Sequence, residues 1–286
     1  MTLAAEDEDD AAMEAALRAG ERRRIRVHRL RDIGVPVVAA LVFLALWQLY
    51  VKTHHVPVYI LPAPSDILAS LVTDWPILSA ALIITLEITF TALLTAVVGG
   101  VVFSVLFAES KFLELVFYPY AVVLQVTPIV AVAPLIIIYV PQTQLVLLLC
   151  AFLVAFFPIL SNTTQGLKSV DHNLLNLMDI YEASRWQRLM FLKAPGAMPY
   201  FMIGLRIAGG LALIGAIVAE FTAGSAGQGA GLAFRILEAG RRLNTPRLFA
   251  ALILITATGV AIFGLTSLVS HLTLRRWHES AMKREN

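Results

Sequence analysis

Charge is scarce in this sequence: 15% of the 286 residues are Asp, Glu, Lys or Arg, while 58% are hydrophobic. Soluble globular domains carry about a quarter charged residues, so the chain reads as an integral membrane protein. Cysteine is scarcer still. Cys150 is the only one and lies in an apolar run, which excludes a disulfide framework within the chain and leaves it as a small packing residue. No glycine is followed by lysine, so the GxxxxGK(S/T) phosphate loop is missing and ATP must be hydrolysed elsewhere. No secretory leader precedes the first apolar run, which is therefore expected to persist in the mature protein.

Metal and nucleophile chemistry are equally thin. His54-His55 has no further ligand at workable spacing, so the pair reads as exposed loop histidines, with neither metal nor cofactor expected. An intramembrane serine protease needs a serine in a tight glycine motif and a histidine on a neighbouring span. Ala223-Gly224-Ser225-Ala226-Gly227 matches in part, but it falls outside the bilayer and His271 sits at the opposite edge. A self-contained secondary transporter would show internal repeats and more than six spans; no repeat is visible.

What is present is a series of apolar runs. The first span is Ile33 to Val51, and a polar connection from 52 to 76 holds a short amphipathic helix through Val72. Ile77 to Ala108 carries Glu87 as its only charge; it is too long for one bilayer thickness of about 30 Å and too short for two spans and a turn, so one long helix is expected. Leu115 to Val140 forms the third span and contains Pro119, Pro128 and Pro134, each freeing a carbonyl that lipid cannot satisfy. Leu145 to Ser161, with Pro158 inside it, is the fourth. The fifth runs from Ala197 to Glu220 with Gly204, Gly209, Gly210 and Gly215, the sixth from Leu248 to Leu272, and an outer loop of residues 221–247 joins them. Of 22 Lys and Arg, sixteen then fall on the cytoplasmic side and five outside, placing both termini inside. Residues 1–32, acidic then basic, form a cytoplasmic tail; 33–272 are the membrane domain; 273–286 close the chain. The basic cluster is a topology signal rather than a nucleic-acid patch.

Between spans four and five lies the one long hydrophilic stretch with helical periodicity, residues 164–195. Leu174, Leu177, Met178 and Tyr181 recur at i, i+3, i+4, i+7, which predicts a helix over 172–181 with Asp171 as its N-cap. A second short helix follows, with Trp186, Leu189 and Met190 on one side and Arg185, Gln187 and Arg188 on the other; it is expected to stop at Pro195. Two small amphipathic helices between spans predict a docking surface, with Trp186 as anchor; its alternative role is to sit at the membrane interface. Charged or polar groups inside spans are pathway candidates: Glu87, Glu220, and Gln125 with Thr127 beside Pro128. The competing readings are a protonated helix contact for Glu87, snorkelling or a structural ion pair for Glu220, and helix-to-helix hydrogen bonding for Gln125 and Thr127.

Ala183-Ser184-Arg185-Trp186-Gln187, Ala194-Pro195, Pro199-Tyr200 and Gly204-Leu205-Arg206 resemble the cytoplasmic "EAA" loop of ABC importer permeases, the binding-protein-dependent transport inner membrane components. Thr127 to Leu135, Phe157 to Thr163 and Val218-Ala219-Glu220 resemble the nitrate, sulfonate, taurine and pyrimidine-precursor branch, and the likeness covers residues 59–272. The family's Glu-Ala-Ala falls on Asn176-Leu177-Met178, and its loop glycine on Glu182. The resemblance implies an all-α, six-span permease of type I importer architecture in the bacterial inner membrane, moving a small polar or anionic solute. It implies no enzyme activity, and as partners ATP-binding subunits, a second permease copy and an extracytoplasmic solute-binding protein. It also implies that Leu174, Asn176, Leu177, Met178, Glu182, Ala183, Ser184, Arg185 and Trp186 dock the ATPase.

Overall fold

A computed structural model describes residues 34–224 and 229–275, which divide into two compact units at Asp66. The tail of residues 1–32 and most of the closing segment 273–286 lie outside the described residues. The first unit is built on α1 (Gly34–Thr53), apolar enough to cross a membrane. Its end is folded back by reciprocal hydrogen bonds: Gln48 Nε2 donates to Ser65 Oγ (3.0 Å) and the Ser65 N–H to Gln48 Oε1 (3.1 Å). The expected short helix follows as α2 (Pro64–Thr73).

In the second unit α3 (Trp75–Glu109) is the single long helix expected, 35 residues or about 52 Å. Next come α4 (Lys111–Val126), α5 (Ile129–Tyr139), α6 (Thr143–Lys168), α7 (His172–Ile180), α8 (Arg185–Arg188), a π-helical turn (Leu189–Lys193), α9 (Ala194–Ala223), α10 (Leu232–Arg241) and α11 (Thr245–Leu274). Among the described residues five helices are long and apolar enough to span, and the pair α4 and α5 makes six when counted as one broken span.

Two expectations need correcting. The third span is not a continuous helix: it breaks at Thr127-Pro128 and its halves are bent by 105°. Proline lacks the N–H that would continue the ladder, and Thr127 ends α4 in extended backbone, its N–H and hydroxyl both donating to the Val123 carbonyl. The second docking helix does not stop at Pro195 either. A wide turn over 189–193 carries it into α9, and Pro195 occupies the first turn there, where a missing N–H is tolerated. Arg185 to Ala223 is thus one helical run of 39 residues.

The core is a stack of small residues where α3, α6 and α9 meet. Ile88, Ala92, Leu147, Ala151, Ala216 and Ala219 fill one end, Ala96, Ala155, Ile159, Ala208 and Ala212 the middle, and Leu167, Leu189 and Ala197 the docking end. Glycine permits the closest approaches. A Cβ on Gly204 would lie 2.7 Å from the Pro158 carbonyl oxygen, and one on Gly215 2.8 Å from the Ala151 Cα, so α9 crosses α6 at backbone contact. Gly209 faces Ile262 and Thr266 of α11, while Gly210 faces open space.

Candidate functional site

Helix α7 forms as its spacing requires, with the Asp171 carboxylate accepting the Asn173 N–H at 2.8 Å. None of its residues is buried: Leu174 and Leu177 are half exposed and Tyr181 is 77% exposed. Its end is a Schellman motif in which the Ala183 N–H reaches the Met178 carbonyl (2.9 Å) and the Glu182 N–H the Asp179 carbonyl (3.0 Å). Glu182 therefore holds the left-handed position, with φ of 50°. The chain turns directly into α8 through a capping box, Ser184 accepting from the Gln187 N–H while the Gln187 side chain accepts from the Ser184 N–H. Arg188 fastens the two helices, its Nε donating to the Ala183 carbonyl and its guanidinium pairing with Asp179.

The π turn separates residues that the helical period places together. Leu189 is buried against Leu167 and Ala197, whereas Trp186 and Met190 are 67% and 49% exposed. Two ion pairs fix the segment to the turn between α3 and α4: Lys193 with Glu109 (2.6 Å) and Lys168 with Glu114 (2.5 Å). The result is a rigid foot with an exposed apolar row.

The pathway candidates separate into three places. Gln125 and Thr127 line a cavity of about 360 Å³ at the helix break, closed on its other side by Leu153 and Pro158 of α6 and Leu211 of α9. Such a break is stable at membrane depth only where it lines water or packs on protein. Glu87 lines a second cavity, with Thr91, Gln142, Gln144 and Gly229. Glu220 lines neither. It is 1% exposed, with Thr85 Oγ1 donating to one carboxylate oxygen and the Ala233 N–H to the other, each at 2.8 Å. The Leu232 N–H in turn donates to Thr85 Oγ1 (2.9 Å). The first turn of α10 is thereby seated on a carboxylate, which suits the positive end of a helix, and a side chain on Gly231 would collide with it.

The family model for the "binding-protein-dependent transport system inner membrane component" matches residues 100–278, taking in the break, the foot and the last two spans. The chain belongs to that family. Like other inner membrane components it is a transporter subunit, not an enzyme, and a permease of an importer. This permease is 33% identical to the riboflavin transport system permease protein of Chloroflexus aurantiacus over 257 residues, 87% of this chain and 91% of that one. It is 30% identical to the putative aliphatic sulfonates transport permease protein of Bacillus subtilis over 243 residues, 84% of this chain and 86% of that one. Its fold matches the crystal structure of an amino acid ABC transporter with histidines at a TM-score of 0.58 and 21% identity, over 73% of this chain and 97% of that one.

At the end of the permease opposite the foot, sequence reasoning missed a partner. Arg247 pairs with Asp74, at the junction of α2 and α3, and Arg235 and Arg242 pair with Glu238. These pairs hold the Asp74 and Glu238 carboxyls below the usual carboxylate range, mainly through the Arg247 and Arg235 hydrogen bonds respectively. The signal available was proximity in topology, since residues 74 and 247 both lie next to starts of spans on one side.

Proposed function

We propose that the segment from Asp171 to Met190 is where ATP-binding subunits dock, and that their closure is transmitted through α9 to a solute path. The exposed apolar row of Leu174, Leu177, Tyr181 and Trp186 on a hydrogen-bonded foot carries this reading, because a soluble partner gains most from rigid aromatic and aliphatic anchors. Asn176, Met178, Glu182, Ala183, Ser184 and Arg185 complete the footprint. The foot faces the cytoplasm, with both termini on the same side, in keeping with the excess of Lys and Arg there. A second copy of the permease closes the exposed face at the break, where Gln125 and Thr127 line the path, and an extracytoplasmic solute-binding protein delivers the cargo at the far end. The cargo is a small polar solute; the two relatives are named for riboflavin and for aliphatic sulfonates.

Trp186→Glu in the assembled transporter tests the docking reading. ATP-driven uptake should fall at least about tenfold and the ATP-binding subunits should no longer co-purify, with membrane insertion unchanged. Normal uptake at normal expression refutes the assignment.

A further inference from the structure

The cavity beside Glu87 measures about 500 Å³, within the range of small-molecule sites. Its polar wall comes from two helices and a loop: the Glu87 carboxyl and Thr91 hydroxyl from α3, the Gln142 and Gln144 amides at the start of α6, and the backbone at Gly229. No Lys, Arg or His lines it among the described residues. Of the four arginines in residues 229–247 at that end, three are engaged elsewhere, Arg247 with Asp74 and Arg235 and Arg242 with Glu238. Glu87 itself is exposed and has no ion pair among the described residues.

Helix arithmetic fixes its depth. Glu87 lies about 33 Å along α3 from Glu109, and Gln144 about 36 Å along α6 from Lys168. Glu109 and Lys168 are both tied at the docking end by their ion pairs, so Glu87 is level with the far end of α6. Because α3 overshoots its neighbour, a position 10 residues into the apolar run is level with the start of α6.

We propose that this cavity is the mouth through which the solute enters, and that Glu87 sets its charge class: a neutral or cationic molecule with several N–H or O–H donors, not an anion. The proposal rests on the importer reading. A carboxylate only accepts hydrogen bonds, as do sulfonate and nitrate oxygens, so those solutes meet repulsion that the neutral donors of Thr91, Gln142 and Gln144 offset only in part. The two glutamine amides donate as well as accept and suit the ring edges of a polar heterocycle. In a half-enclosed cavity a single charge is screened far less than in bulk water, enough to change local ion preference about tenfold.

Cys150 is the only cysteine and is buried, so Cys150→Ala gives a background in which Gln144→Cys is a single reporter thiol. The full transporter in proteoliposomes is treated with size-matched cationic and anionic methanethiosulfonates, and rates are taken relative to free cysteine. With Glu87 present the cationic reagent should react about tenfold faster; Glu87→Asp should keep that ratio, Glu87→Gln should bring it within about twofold of unity, and Thr91→Lys should invert it. A ratio indifferent to Glu87→Gln overturns the proposal. In the same vesicles, supplied with the solute-binding protein, ATP-driven accumulation of nitrate or ethanesulfonate also overturns it and leaves the importer reading intact, whereas riboflavin accumulation supports it. The expected thiol ratios without any ATP-driven uptake or stimulated hydrolysis would sink the importer reading and leave charge selection at the cavity standing.

Discussion

His55, Glu182 and Leu243 each hold a left-handed backbone without being glycine, and each follows the end of a helix. For Glu182 and Leu243 the hydrogen bonds of the Schellman motif are complete, so the tertiary turn imposes a conformation that costs a side chain about 1 kcal/mol. Glu182→Gly should therefore stabilise the assembled transporter by about 1 kcal/mol in a denaturant titration and preserve co-purification of the ATP-binding subunits. A clear loss of co-purification would show instead that the carboxylate contacts the partner. Asp74 offers a pH test. Arg247 lowers its folded pKa, so the stabilisation is present above the unfolded value and disappears only as pH falls through the lower, folded one. Thermal stability of the wild type should hold through mildly acidic pH and decline only below about pH 4, while Asp74→Asn should be less stable at neutral pH and lose this dependence. Of these residues the sequence exposed Glu182, because a family glycine position held something else. It could not expose the Asp74 pairing, which depends on two helix starts meeting across a gap of many residues.

At the scale of the element, run length located α3, and spacing with the Asp171 cap located α7. Both failed at α4 and α5 and at the π turn. Three prolines in one apolar run announce a defect without saying which one yields; the break falls at Pro128, while Pro119 and Pro134 sit inside helices. A π turn has no residue signature at all; it appears where Leu189 must reach the core while Trp186 stays outside. Inserting one alanine after Lys193, with the π turn kept, should rotate α8 by about 100° relative to α9. ATP hydrolysis should then persist in any complex that forms while solute moved per ATP collapses, measurable in proteoliposomes; unchanged coupling would make that rotation incidental. The α6 and α9 crossing makes a sharper demand. Gly204→Leu should cost several kcal/mol or prevent folding, because it meets backbone at the Pro158 carbonyl, while Gly210→Ala should be neutral because nothing lies within 4 Å, and thermal melts of the two compare them directly.

For the whole molecule, the candidate pathway residues resolve into different duties. Gln125 and Thr127 border a broken span, Glu87 a second cavity, and Glu220 seats α10 against α3 and α9. The last of these was legible as a carboxylate near the end of a span but not as a helix support, since its partners Thr85 and Ala233 are remote in sequence or across a loop. One further consequence follows from the long run through α8 and α9. Gly204 stands midway between Arg185 and Ala223, about 28 Å from each end, at the point where the backbone rests on α6. The helix is a balance beam with equal arms and a glycine fulcrum. Were the helix to tilt by about 10° there, its tips would move by about 5 Å in opposite senses, and Glu220, about 24 Å out, by about 4 Å against the swing of the foot.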